Sequence, residues 1–599
     1  CRPADPRLPV HFRVELPRDA PRPGSLLLLE PLEPVTSDMW SARLVSEYGR
    51  EDDVSVQEEL VKANHEVPRD FSLAALQEAS KLPQEPLAED LLHRKDLRSM
   101  PLVTIDDPDA RDLDDAVHVQ KLSEGGWLLS VAIADVSHYV RPRSSGHAGS
   151  LDREALARGN SWYFPQSVEP MLPPALCHGL CSLNPGEDRL AMLVQVPFSS
   201  DGQPGKARFA SIVMRSAARL TYDQVKTYLL DKSPDAIADF CKQHAHGNAI
   251  LSMLSQALDL AEQLHSVRQK RGSLDFDLPE MDYRFDNDGR VAWLGHRIRH
   301  NAHRLIEEFM IAANEAVARH LCETGLPFLY RVHPKPEENH LDDLRHSLET
   351  VGPVGLSVRP HALQDDDLIH AVLSGVRGTP GEGLVNRLCL RAMPQARYQT
   401  NNTGHYGLAS QAYCHFTSPI RRYADLLTHR ALKTSLGLNC GPLPAGQKLL
   451  RIGDTLNHRE RAAMDCEREM NKRLSCLALQ PRVGESFKGL VSGVMSYGVF
   501  VELKNIPVEG MIRVDDLGAD HYDYDTNHMC LLGRRSGVVW HLGQEISVVV
   551  TAVDLGRLEI RLIPAELPQG LRRGKKDSDT RSRRRTDGPR RHRHSKGSY

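Results

Sequence analysis

The chain has 599 residues, 40% of them hydrophobic and 26% charged, which is the balance of an ordinary soluble protein too long to fold around a single core. Its net charge of −4 is unevenly spread, because Leu571 to Tyr599 holds twelve Lys or Arg against three Asp, a net +9, and the body before it is acidic. No apolar run approaches the ~20 residues that span a bilayer, so a membrane protein built on helices is excluded.

Residues 1–67 carry short β-like runs, HFRVEL and SLLLLEPLEP, broken by Pro and Gly, and are read as part of a small β-barrel. The chain begins with Cys1 rather than Met, as a fragment or processed product would, and no secretory signal opens it. Residues 68–98 turn helical and charged: DFSLAALQEASKL is expected to be a linker helix.

Between two strand-like runs lies TIDDPDARDLDDAV. Asp106, Asp107, Asp109, Asp112, Asp114 and Asp115 crowd there around one cation, Arg111. Carboxylates this close repel one another, and flanking strands keep such short side chains from all reaching bulk water. A divalent cation relieves the repulsion, because Mg2+ and Mn2+ take hard oxygen ligands. A solvated acidic loop is the alternative. An EF-hand is ruled out, since Gly and a terminal Glu are missing at the required offsets. The flanking runs, SMPLVTI and AVHVQKL, with WLLSVAIADV beyond a hairpin turn, place the loop on a rigid sheet edge.

SWYFPQSVEPMLPPALCHGLCSLNP is rich in Pro and aromatics, an ordered loop without regular period. Its Cys177 and Cys181 lack two further ligands at zinc spacing. The eleven Cys are therefore read as reduced thiols of a cytoplasmic protein. ASIVMRSAARLTY returns to strand spacing. Two helices follow, LSMLSQALDLAEQLHSVRQKRG closed by Gly272 and HRLIEEFMIAANEAVARHLCETG closed by Gly325, each with an apolar stripe that is core first. Residues 423–479 are again helical, up to Pro481.

From Val483 the pattern alternates: SFKGLVSGVM, YGVFVEL, EGMIRV, EISVVVTAVD and RLEIRLI give five short strands, an OB-type barrel. Phe487, Tyr497 and Phe500 fall among them, either as core or as outward aromatics that stack on bases at ~1–3 kcal/mol each. In the basic tail, 565–599, the run RSRRRTDGPRRHRHSK lacks apolar residues, and the tail is expected to be disordered. A nucleic-acid partner explains it; a solubilising extension is the alternative.

TIDDPDARDLDDAV, YFPQSVEPMLP, LCSLNP, IEEFMIAANE and HYGLASQAYCHFTSPIRRYADLLTHR, in this order, resemble the ribonuclease II and ribonuclease R (RNB) family of 3′-to-5′ exoribonucleases. The basic tail after the last barrel is closest to the ribonuclease R branch. The resemblance implies an α+β multidomain fold: a partial cold-shock-like OB barrel at 1–67, an RNB catalytic domain at 99–480 ending in helices, and an S1 barrel at 481–564. An R-type enzyme should carry two cold-shock-like barrels before the catalytic domain, and this chain has room for at most one and part of another. The implied activity is processive hydrolytic release of nucleoside 5′-monophosphates from the 3′ ends of single-stranded RNA, and of structured RNA, by a monomer.

The resemblance places the catalytic carboxylates on Asp106, Asp112, Asp114 and Asp115. Asp106 and Asp115 would bind Mg2+ (or Mn2+) directly, Asp114 would orient water or metal at the scissile phosphate, and Asp112 would support them. Asp107 and Asp109 are left out as ligands. In HFTSPIRRYADLLTHR, Ser418 and Pro419 would turn the chain so that Arg421 and Arg422 open a helix, with Arg421 the transition-state contact and Arg422 the weaker candidate. His415 and Tyr423 are read as structural. Tyr163 and Phe276 match aromatics that sandwich the last bases, and Glu467, in CERE, matches a position near the RNA 3′ end; an i,i+4 surface pair is its alternative. Two rival functions remain at this point: a catalytically inactive RNA-binding protein of the same fold, and a magnesium-dependent DNA nuclease, since carboxylates do not sense a 2′-hydroxyl.

Overall fold

The computed structural model describes residues 1–15, 21–144, 149–244, 246–276, 280–297, 300–351, 360, 363–526 and 528–567. The tail beyond residue 567 lies outside the described residues.

The centre is a seven-stranded sheet in the order Ala218–Thr221, Val103–Asp106, Asp115–Lys121, Trp127–Ala134, Asp188–Phe198, Arg208–Arg215 and Lys95–Asp96. Side chains alternate between its faces, and both faces are covered. On one, Val103, Ile105, Val117, Val119, Val131 and Ile133 pack against the helices Gly247–Lys270 and Asn301–Thr324. On the other, Ala116, Ala132, Ala134 and Leu193 meet the segment through Leu183 and the helix Tyr423–Ser435. Fully burying each Leu, Ile or Val contributes ~1.5–3 kcal/mol, so the sheet is a stiff platform. Gly325 ends the helix Asn301–Thr324 with φ 67°, a left-handed conformation that favours Gly.

The acidic loop does not sit on a sheet edge. The strands that flank it are interior, and the loop joins their ends. Residues 68–98 differ from the expected linker helix as well. They hold two short helices, Leu73–Ala79 and Ala88–Leu91, then a strand that joins the main sheet. Ala75 and Ala79 are buried in the core beside the sheet, so the segment is anchored to the central sheet. At the start of the chain, Ser25–Thr36 pairs antiparallel with Met39–Arg50, and His11–Val14 adds to the latter in parallel. This is an open three-stranded sheet, followed by the helix Val54–Asn64.

The expected helical stretch 423–479 is two helices, Tyr423–Ser435 and Gly446–Leu479. The break falls at 436–445, where Gly437, Gly441, Pro442 and Pro444 interrupt the period. At 34 residues the second helix is about 51 Å long, enough to reach from the central sheet to the last domain. There Ser486–Met495, Gly498–Leu503, Glu509–Arg513, Glu545–Asp554 and Glu559–Pro564 close a five-stranded barrel. The barrel shares a core with the helices Glu338–Thr350, Asp365–Val376 and Glu382–Ala392.

Candidate active site

Asp106 is the last residue of one interior strand and Asp115 the first of the next. The loop between them is tied down on both sides. From the neighbouring strand, Arg219 Nη2 donates to the carbonyls of Pro108 (2.8 Å) and Ala110 (2.7 Å). From the other side, Ser182 Oγ donates to the Arg111 carbonyl (2.8 Å) and accepts from the Leu113 amide (3.1 Å). Arg297 pairs with Asp107 at 2.7 Å. The charges that answer the acidic loop thus come from Arg219, Arg297 and Arg421, while Arg111 is exposed on the groove wall.

The carboxylates are not equivalent. Asp114 is 4% exposed; its Oδ1 accepts the Ile420 amide (2.9 Å) and its Oδ2 faces Arg421 Nε at 3.5 Å. Asp112 accepts the Tyr163 hydroxyl (2.9 Å). Asp106 Oδ2 and Asp114 Oδ2 are buried with no hydrogen-bond partner. Burial pushes the Asp106 carboxyl up to about 8, helped by the charges of Asp115 and Asp112 and opposed by Arg219 and Arg421. Burial also raises Asp115, to about 6, and Asp114 well above the carboxylate range, in both cases against the pull of Arg421. Among the described residues, no three His, Cys, Asp or Glu side chains already converge on one point.

Ser418 to Arg421 form a turn, and the helix starts only at Tyr423, so both arginines precede it rather than lying within it. Their partners differ. Arg422 grips the fully buried Asp425 through two bonds of 2.8 Å, whereas Arg421 is 44% exposed and touches Ser418 Oγ (3.1 Å) and Asp114. The Arg421 carbonyl accepts the Ser161 amide (3.0 Å), and Gly159 accepts the Tyr423 amide (3.0 Å). This pairing brings Tyr163, itself 48% exposed, beside Arg421. His415 and Tyr423 are held inside, the first on the Tyr398 hydroxyl (2.7 Å) and the second on Asp152 (2.8 Å).

A groove of about 1870 Å³ runs past these residues, from the loop 107–112, Tyr163, Arg421 and Arg422 along Met464, Glu467, Arg468 and Lys472 of the long helix to Glu502, Pro507 and Glu509 of the barrel. Small-molecule pockets span ~300–1,000 Å³; this one has the size for a polymer. Asp106, Asp114 and Asp115 are not among the residues that line it.

The chain matches the RNB domain model over residues 94–437 and the S1 RNA binding domain model over 480–563. It belongs to the RNB family. Ribonuclease R of Thermotoga maritima is 36% identical over 94% of this chain and 78% of its own length, and ribonuclease R 1 of Lactococcus lactis 34% over 90% and 65%. The chain therefore spans just under two thirds of the Lactococcus protein. The structure of Mycoplasma genitalium RNase R in complex with ribose-methylated single-stranded RNA superposes with a TM-score of 0.83 at 27% identity, over 94% of this chain and 86% of that one.

Within this RNB and S1 framework the expected site residues separate. Asp106, Asp112, Asp114, Asp115, Tyr163 and Arg421 come together, and Glu467 lines the groove. Phe276 does not join them. It is half-buried against the core of the barrel and its supporting helices, and residues 277–279 after it are outside the described set. Phe487 is half-buried under the Arg482 guanidinium (4.6 Å), and Phe500 meets Tyr497 edge-on at 6.2 Å. Of the three barrel aromatics, Tyr497, 55% exposed, offers the most open ring. Arg219, Ser182 and Asp425 were not singled out from the sequence. The only signals for them were the runs SAARLTY, LCSLNP and YADLL, in which a side chain bound to a distant carbonyl or amide looks like any other polar residue.

Proposed function

We propose that this chain hydrolyses RNA from the 3′ end, processively releasing nucleoside 5′-monophosphates, with a divalent cation (Mg2+, or Mn2+ in its place) held at the aspartate centre. The observation that carries the reading is two buried, unpartnered carboxylate oxygens, on Asp106 and Asp114, beside a guanidinium with no tight carboxylate partner, next to a polymer-sized groove. Unpaired buried carboxylates are costly, and a cation removes the cost. Mg2+ is usually bound by one or two carboxylates, with water and substrate phosphate completing its shell. The residues fit such an ion: Asp106 and Asp114 would hold it, with Asp115 beside them.

When bound, the cation neutralises the phosphodiester, makes a water acidic and stabilises the leaving oxygen. The chain does the rest. Ile420 fixes Asp114, so that its free oxygen faces the site. Arg421 reaches a phosphate oxygen as negative charge builds on it. Tyr163, anchored through its hydroxyl to Asp112, offers its ring to a terminal base, and stacking of this kind accepts any sequence. Water adds to the last internucleotide phosphorus and the 3′ oxygen of the preceding nucleotide leaves, so the product keeps a 5′-phosphate. The S1 barrel, and the basic tail beyond it, would retain the strand.

A 5′-labelled RNA with a single-stranded 3′ tail, incubated with Mg2+, tests this. Progressive shortening from the 3′ end to a short labelled remnant is expected, with release of mononucleotides. Binding without shortening would establish an inactive RNA-binding protein instead, and equal degradation of the matched DNA would make it a general nuclease.

A further inference from the structure

We infer that Arg219 is a positioning residue of this site, the bracket that holds the acidic loop in register for catalysis. It lies on the strand Ala218–Thr221, paired in parallel with the strand that ends at Asp106, in register with Thr104. One nitrogen, Nη2, donates to two loop carbonyls two residues apart, Pro108 (2.8 Å) and Ala110 (2.7 Å). Among the described residues the side chains that donate to carbonyls of this loop are Arg219, on its first half, and Ser182, on its second.

The loop needs the bracket because its carboxylates push it apart. Six of its aspartates stand within ten residues, and mutual repulsion favours swinging the segment out into water. Two carbonyls bonded to one cationic nitrogen oppose that motion through fixed geometry and through opposite charge. The hydrogen bonds of Arg219 go to the loop carbonyls, and its charge also opposes the rise of the Asp106 carboxyl, so the proposed route to the reaction runs through the loop. Supporting bonds of this kind typically change activity by ~10- to 100-fold when removed.

This inference rests on the hydrolytic reading above, and hydrogen exchange keeps the two separable. Arg219→Met and Arg219→Lys would be compared with the parent on a short single-stranded RNA, together with amide exchange across residues 107–113. For Arg219→Met, kcat should fall about 10- to 100-fold and KM should move less than about threefold. Exchange in 107–113 should quicken while that of the helix Asn301–Thr324 stays as in the parent. Lys keeps the charge but lacks the planar fork, so it should recover part of the rate and remain at least about threefold below the parent. Full recovery by Lys would overturn the bracket in favour of charge alone. Unchanged loop exchange in Arg219→Met, or a rise in KM with kcat held, would also overturn it. Should Arg219→Met fail to fold, the Lys variant decides through the same two readouts. Were the parent itself inactive, the hydrolytic reading would fall while loop exchange still reported on the bracket.

Discussion

Replacing Asp106 by Asn should make the metal-free protein more stable at pH 8 while abolishing its activity. The Asp106 carboxyl is raised from 3.8 to about 8 by burial and by its acidic neighbours. A carboxyl with a raised folded-state pKa binds its proton more tightly in the folded chain, so stability is fullest below about pH 4 and declines as pH climbs towards 8. One pKa unit is worth ~1.4 kcal/mol, so between about pH 5.5 and about pH 8 the parent should lose roughly 3 kcal/mol, and Asp115, raised to about 6, adds in the same direction. For a chain of 599 residues that is a fall in Tm of roughly 2–3 °C. Calorimetry in chelator at the two pH values would measure it. Parent Tm should drop with pH, the Asn variant should drop much less, and Mg2+ at the higher pH should raise the parent and leave the variant where it was. Equal Tm values for the parent at both pH values, or parallel slopes for parent and variant, would refute the account of the site as a set of uncompensated buried carboxylates.

Asp114→Asn should bind RNA within a few-fold of the parent and lose nearly all turnover, because it removes an interaction made in the transition state; a tenth of parental activity would refute its placement at the centre. Tyr163→Ala should stop degradation on a longer end product, and an unchanged length on a sizing gel would show that its ring holds no base. Arg422→Ala strands the buried Asp425, so denaturant titration should show a loss of ~3–5 kcal/mol, whereas Arg421→Ala should leave stability within about 1 kcal/mol of the parent and depress kcat. Removing Leu571 to Tyr599 should flatten the salt dependence of RNA binding; if four of its basic residues touch phosphates, the slope of log affinity against log salt changes by roughly three units, and parallel slopes would mark the tail as a solvated extension.

What the sequence made legible was whatever repeats locally. The five alternating runs of the last domain became the five barrel strands, and the two striped helices closed by Gly272 and Gly325 became Gly247–Lys270 and Asn301–Thr324. The acidic loop stood out because six carboxylates in ten residues cannot be read as core. The segment from Ser161 to Pro185 has no period to read, and it folds into short strands and a single π-helical stretch, Ala175–Leu180, against the sheet. Contacts across long stretches of chain left no trace either. Arg219 reaches a loop 109 residues away and Ile420 one 306 residues away, and neither partner has a local pattern that names the other. Phe276 shows the reverse limit: a match in the linear sequence did not foretell that its ring would pack against the barrel core.

Partner assignment divides residues of identical chemistry into different roles here. Arg421 and Arg422 are adjacent, yet Asp425 consumes the second and leaves the first half-exposed beside Asp114. The six carboxylates divide by the same rule. Asp107 is answered by Arg297, Asp109 stands in solvent, Asp112 holds Tyr163 and Asp115 feels the pull of Arg421, while Asp106 and Asp114 each keep a buried oxygen that accepts no hydrogen bond among the described residues, that of Asp114 facing Arg421 at 3.5 Å. Such a residue of unmet charge could not persist on a mobile loop, which would turn its carboxylates to water. It persists because two interior strands fix its ends and Arg219 and Ser182 fix its middle. The rigidity of the sheet is therefore part of the proposed chemistry: it holds the carboxylates where the cation and phosphate of that proposal would meet their charge.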